Sequence, residues 1–141
     1  MLFKTLVILC FVVVVYSQDK TFILVRDELL AILGQSRDEC LAKTKADPTL
    51  IDRLIEEFYF PKDESLKCFI ECVTVKTKFI TEDLKLHGEG LKSRVPKEGE
   101  HVIDEIIDNC QGVGSGTNCD KAYDILKCVY TGLRNALIIK L

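Results

Sequence analysis

The sequence predicts an all-α fold, a compact six-helix bundle with three disulfides, formed by a single domain. Three observations lead there. Apolar residues recur at helical spacing along nearly the whole chain. Six cysteines remain once an apolar leader is set aside, and an even number in an exported chain implies disulfides. No two segments read as a strand pair, and the β-branched run from Val73 to Thr77 is the one strand-like patch.

The leader comes first. Lys4 gives a positive start, and Leu6 to Tyr16 is an apolar run of 11 residues, too short to span a bilayer. Val15 and Ser17 are small enough to precede a cleavage point. Residues 1–17 are therefore expected to be a secretory signal peptide and 18–141 the single folded domain. The competing reading, an uncleaved anchor, fits poorly with Gln18, Asp19 and Lys20 following at once. Losing Lys4 makes the formal net charge about −4. An acidic chain without a basic tract is not expected to bind nucleic acid, and no second apolar run is long enough for stable membrane insertion.

The first stripe is Phe22, Val25, Leu29 and Leu33, interrupted at Gly34; a further turn carries Cys40 and Leu41. Asp47-Pro48 is a start signal, with the cap followed by proline at the first helical position. Ile51, Leu54, Ile55 and Phe58 follow it, and Pro61 ends the run. Asp63 or Ser65 can cap the third helix, whose stripe is Leu66, Phe69, Ile70, Val73, Thr77 and Ile80. Thr81 is expected to start a weaker fourth helix through Leu84, Leu91 and Val95, with Gly88 and Gly90 counting against it. Pro96 restarts the chain. Val102, Ile103, Ile106, Ile107 and Cys110 line a fifth helix that Gly112 stops. Beyond the glycine-rich loop, Asn118 can cap a last helix with Ala122, Ile125, Leu126, Val129 and Leu133 on its apolar face. An apolar tail follows from Ala136.

Helical geometry restricts the cysteines. Cys68 and Cys72 stand at i and i+4 on one helix, where side chains point in parallel and do not bond each other. Cys119 and Cys128 are expected on one helix roughly 13 Å apart, too far to bridge. Most pairings stay open. All of them grip the third helix from nearly one face, and the last helix from opposite faces, because nine residues at about 100° each is half a turn out of phase. Each staple closing tens of residues stabilises by roughly 3–4 kcal/mol in the chain-entropy model. A chain so stapled tolerates a cavity that would otherwise be costly. The alternative is that the staples only stiffen a filled domain.

The residues between successive cysteines number 27, 3, 37, 8 and 8. The C-x3-C pair followed much later by C-x8-C-x8-C resembles the signature of the insect odorant-binding proteins, the pheromone-binding and general odorant-binding family. The resemblance extends over the whole chain after the leader. It implies six helices around an apolar pocket and disulfides Cys40–Cys72, Cys68–Cys119 and Cys110–Cys128. It implies a secreted, non-enzymatic carrier of odorants, pheromones or similar lipid-like ligands through extracellular fluid such as sensillar lymph. The partners are then a small hydrophobic ligand and an olfactory receptor, with the protein a monomer or weak homodimer and no cofactor. Some members of the family serve in glands or body fluids, so a non-olfactory carrier or interaction role is the alternative.

An apolar pocket binds by desolvation, at roughly 25 cal/mol per Å² buried. The inward stripes supply its expected lining: Phe22, Val25, Leu29, Ile55, Phe69, Val73, Ile106, Leu126 and Val129. Each reads equally as ordinary core. By the resemblance, the hydroxyl of Thr74, two residues past the third cysteine, meets a ligand oxygen. The tail bearing Leu137 and Ile138 likewise folds back over the pocket. His87 and His101 raise the idea of pH-dependent release, with solvated surface histidines as the simpler reading.

Other functions find little support. Neither histidine adjoins a cysteine, as a secreted phospholipase would require, and no nucleophile elbow or metal motif is present. Paired CxxC or Cys/His spacing for zinc is absent. The adjacent cysteines of plant lipid-transfer domains are also missing. A helical cytokine or glandular protein differs in one testable respect, since it would not bind an apolar probe.

Overall fold

The computed structural model describes residues 2–9, 27 and 30–138, with the side chains of Leu137 and Ile138 excepted. Residues 2–9 are helical and exposed, and residues 30–34 are helical with Ile32 and Leu33 buried. Six helices follow: α1 (Arg37–Thr44), α2 (Pro48–Glu57), α3 (Glu64–Lys76), α4 (Gly88–Lys92), α5 (Glu100–Cys110) and α6 (Asn118–Ile138). A 3-10 turn, Lys97–Gly99, leads into α5.

Side chains cap three of the six helix starts. Asp47 accepts the Thr49 N–H at 2.9 Å with Pro48 in the first turn, and Asp63 accepts the Leu66 N–H at 2.9 Å. The last helix is capped one residue earlier than expected. The Thr117 hydroxyl accepts the Asp120 N–H at 3.2 Å, while the Asp120 carboxylate accepts the Thr117 N–H at 3.0 Å. This reciprocal box displaces Asn118 as the cap.

The expected fourth helix is the main departure. The third stripe predicts a helix through Ile80, but α3 ends at Lys76 and Lys78 turns left-handed at φ 58°. Ile80 then forms an isolated antiparallel bridge with Leu86, and both are buried. Between them Thr81 accepts the Lys85 N–H on its hydroxyl and gives its own N–H to the Lys85 carbonyl. Leu84 sits at φ 61°. Thr81 therefore builds a tight turn, by the side-chain-to-backbone bonding that draws threonine out of helices. Only Gly88–Lys92 is helical. The strand-like run from Val73 lies inside α3 through Lys76.

α3 and α6 form the centre. α3 packs along α6, α1 lies against α3, and α5 lies against both α6 and α4. Leu66, Phe69, Ile70 and Val73 of α3 are fully enclosed, as is Ala122 of α6; Ile125, Leu126 and Val129 beside it are almost so. α6 has 21 residues, about 30 Å. Its apolar stripe is the expected one. The helix also continues through Leu137 and Ile138, where the family resemblance implies a fold-back tail; residues 139–141 lie outside the described residues.

Three disulfides cross this framework. Cys40–Cys72 ties α1 to α3, Cys68–Cys119 ties α3 to α6, and Cys110–Cys128 ties α5 to α6, with Cα separations of 5.7, 4.6 and 5.7 Å. The pairs are those the family resemblance implies. An ion pair accompanies each of the two on α3. Lys67 meets Asp120 at 2.8 Å beside Cys68–Cys119, and Lys76 meets Glu39 beside Cys40–Cys72. The 37 residues between Cys72 and Cys110 carry no cysteine and hence no staple.

Candidate ligand site

Of the expected pocket residues, Phe22, Val25 and Leu29 lie outside the described residues, as do the side chains of Leu137 and Ile138. The others converge from four helices. Phe69, Val73 and Thr74 come from α3, Ile106 from α5, and Leu126 and Val129 from α6; all six are buried. Ile55 of α2 is half-buried against the same cluster.

Thr74 is wholly enclosed, so it is not the surface threonine that its residue type suggests. Its hydroxyl donates to the Ile70 carbonyl at 2.7 Å. Thr77, one turn on, donates to the Val73 carbonyl at 2.8 Å. Both protons are committed to the helix, which leaves each oxygen able only to accept from a third group. This satisfies two hydroxyls inside an apolar core.

An aromatic wall stands beside the expected lining residues. Phe58 stacks on Tyr130 with ring centroids 4.1 Å apart, and Phe60 meets Tyr123 edge-on at 5.8 Å. The Tyr123 hydroxyl donates to the Phe60 carbonyl at 2.6 Å, and burial pushes its pKa up. Phe58 is also where α2 stops, at φ 50°, an uncommon conformation for a bulky residue. Its stacked ring fixes it there without a glycine. The signal in the sequence was the run Phe58-Tyr59-Phe60 together with two tyrosines spaced seven apart on one helix.

Around this wall the electrostatics are those of the Lys67 cluster. Hydrogen bonds that it donates to Asp120 and then Glu64 hold the Lys67 ammonium above the usual lysine range, and Lys67 in turn is the main cause lowering Asp120 to about 2. The ammonium also lies 5.6 Å from the Tyr123 ring centre. His87 precedes α4, its ring close over Gly90, and His101 is on the first turn of α5; both are exposed. Among the described residues no group of His, Cys, Asp and Glu could hold a metal ion, and no helix is long and apolar enough to cross a membrane.

Helices in this order, stapled by these three pairs, define the odorant-binding-protein fold. Its solved examples include the fatty acid binding protein OBP56a from the oral disk of the blowfly Phormia regina (TM-score 0.64, 20% identical, covering 77% of this chain and 94% of that one). Another is OBP28a from Drosophila melanogaster (TM-score 0.65, 18% identical, covering 79% and 97%). Residues 24–132 match the model of the PBP/GOBP family, and the chain belongs to that family. In sequence it is 29% identical over 92 residues to general odorant-binding protein 69a of Drosophila melanogaster, a match covering 65% of this chain and 62% of that relative's length. The family is one of carriers that bind small hydrophobic ligands.

Proposed function

We propose that this protein is a secreted carrier that holds one small hydrophobic molecule among the buried faces of α3, α5 and α6 and moves it through extracellular fluid. Membership of the PBP/GOBP family is the observation that carries the reading. The staples supply the physical support. With α3 and α6 covalently fixed, the interior between them need not be fully packed for the fold to persist. The lining is Ile55, Phe69, Val73, Thr74, Ile106, Leu126 and Val129, completed by Phe22, Val25, Leu29, Leu137 and Ile138. Thr74 offers an acceptor to a ligand hydroxyl or a protonated acid. A fatty acid or an odorant of similar length suits this lining, the former being the ligand class named for the blowfly structure. Residues 1–17 direct export and are removed.

Titrating N-phenyl-1-naphthylamine into the mature protein tests the carrier role. Saturable fluorescence that a long-chain fatty acid or an odorant displaces is expected. A flat titration, at pH 7 and pH 5 alike, overturns the reading. Mass spectrometry of protein secreted from insect cells is expected to find an N-terminus at or within about two residues of Gln18.

A further inference from the structure

A groove of about 420 Å³ runs between α5 and α6. Of its lining residues only Ile106 also belongs to the interior lining proposed above. Its floor is apolar, made by Ile106, the Cys110–Cys128 disulfide and Gly132. Cys128, Thr131, Gly132 and Asn135 follow one face of α6 at helical spacing. Gly132 shapes the floor, because a Cβ there would stand 3.0 Å from Ile106 Cγ1. The wall opposite comes from α5, where Asn109 precedes the disulfide.

The rim differs from an ordinary charged surface. The side-chain amides of Asn109 and Asn135 make no hydrogen bond to another described residue, so two exposed primary amides border the groove. The Thr131 hydroxyl donates to the Lys127 carbonyl at 2.8 Å and keeps its lone pairs. Asp124 and Lys127 bring one charge of each sign and form no ion pair with one another, so the formal charge of the lining is zero. A volume in the range of small-molecule sites, over an apolar floor with a few uncommitted polar groups, fits a compact ligand and not a macromolecule.

We propose that this groove is a second ligand site and that it takes a small neutral amphiphile, an alcohol, ester or amide. The polar group meets Asn109 and Asn135, and the short apolar body lies over Ile106 and the disulfide. The lining carries no excess positive charge to favour a carboxylate, while its two amides bond a neutral polar group, which separates this site from one for free fatty acids.

The test is a ¹⁵N NMR titration with hexan-1-ol, repeated with hexanoate at pH 7. Hexan-1-ol is expected to shift the amides of Asn109, Thr131, Gly132 and Asn135 on one common isotherm. The double variant N109A/N135A is expected to weaken that isotherm about tenfold. Naphthylamine binding should stay within about twofold of the parent, since both substitutions are exposed and outside the core. Several results overturn the proposal: no shift at these four amides, an unchanged isotherm in the double variant, or hexanoate binding as tightly as hexan-1-ol. Shifts of the same amides with protein concentration alone also overturn it, marking the groove as a contact between two copies. The naphthylamine signal tests the interior separately, so failure of one site is distinguishable from failure of the other.

Discussion

Replacing Cys68 and Cys119 together by alanine removes the staple that closes the longest loop. The three disulfides span 51, 32 and 18 residues. Neither remaining bond shortcuts the path from Cys68 to Cys119. The path through Cys110–Cys128 is no shorter, and Cys40–Cys72 leads away from it. The loop relation then gives about 4 kcal/mol for Cys68–Cys119, about 3.7 for Cys40–Cys72 and about 3.2 for Cys110–Cys128. For a domain of this length, about 4 kcal/mol lowers Tm by roughly 15 °C. Urea unfolding of the three double-alanine variants, followed by far-UV circular dichroism, measures the order directly. Equal m-values would keep the comparison free of denatured-state changes. The order Cys68–Cys119, Cys40–Cys72, Cys110–Cys128 is expected. If loss of the 18-residue staple costs as much as loss of the 51-residue one, chain entropy is not the source of the stabilisation.

Three further perturbations probe neighbouring features. Asp120 is held at about 2 against an ordinary value of 3.8, so it contributes stability above pH 4 that is lost as pH falls towards 2. D120N should flatten that acid limb in pH-dependent urea midpoints, and a limb of unchanged depth would remove Asp120 as its cause. G116A places a Cβ 2.6 Å from the Asp120 carboxylate at φ +99°, so it should cost about 1–3 kcal/mol in chemical unfolding; a neutral result would show that the box at α6 reforms. Y123F leaves the Phe60 carbonyl without its donor, which should cost about 1 kcal/mol with little change in naphthylamine affinity. A fivefold loss of that affinity would instead place the tyrosine in the ligand's environment.

What was legible in the sequence was local. Asp47-Pro48 and Asp63 cap helices with their own side chains, and the stripe from Ala122 to Leu133 is buried as its spacing requires. The turn after α3 was not legible because distant groups hold it. The Leu86 N–H goes to the side-chain carbonyl of Gln111, 25 residues away, and the His87 N–H goes back to Phe79. Apolar spacing through Leu84 and Leu91 mimics a helix that these bonds replace. Phe58 ends a stripe in the sequence, yet its left-handed backbone goes with a ring stacked on Tyr130, which no local pattern reveals. The candidate site was legible only as a set of inward positions. Periodicity finds which faces are buried, but a ligand and a neighbouring side chain make the same demand on them.

The absence of any staple between Cys72 and Cys110 divides the molecule mechanically. α1, α3 and α6 make a chassis whose helices are tied to one another by covalent bonds. The turn at Ile80–Leu86, α4 and most of α5 are suspended from it at two anchored ends, like a sling. Fluctuations are largest where the restoring force is weakest, so breathing motions concentrate in this sling while the chassis keeps its dimensions. In a hydrogen-exchange experiment the two parts would run on separate clocks: amides of residues 78–99 exchange first, and those of α3 and α6 only with global unfolding.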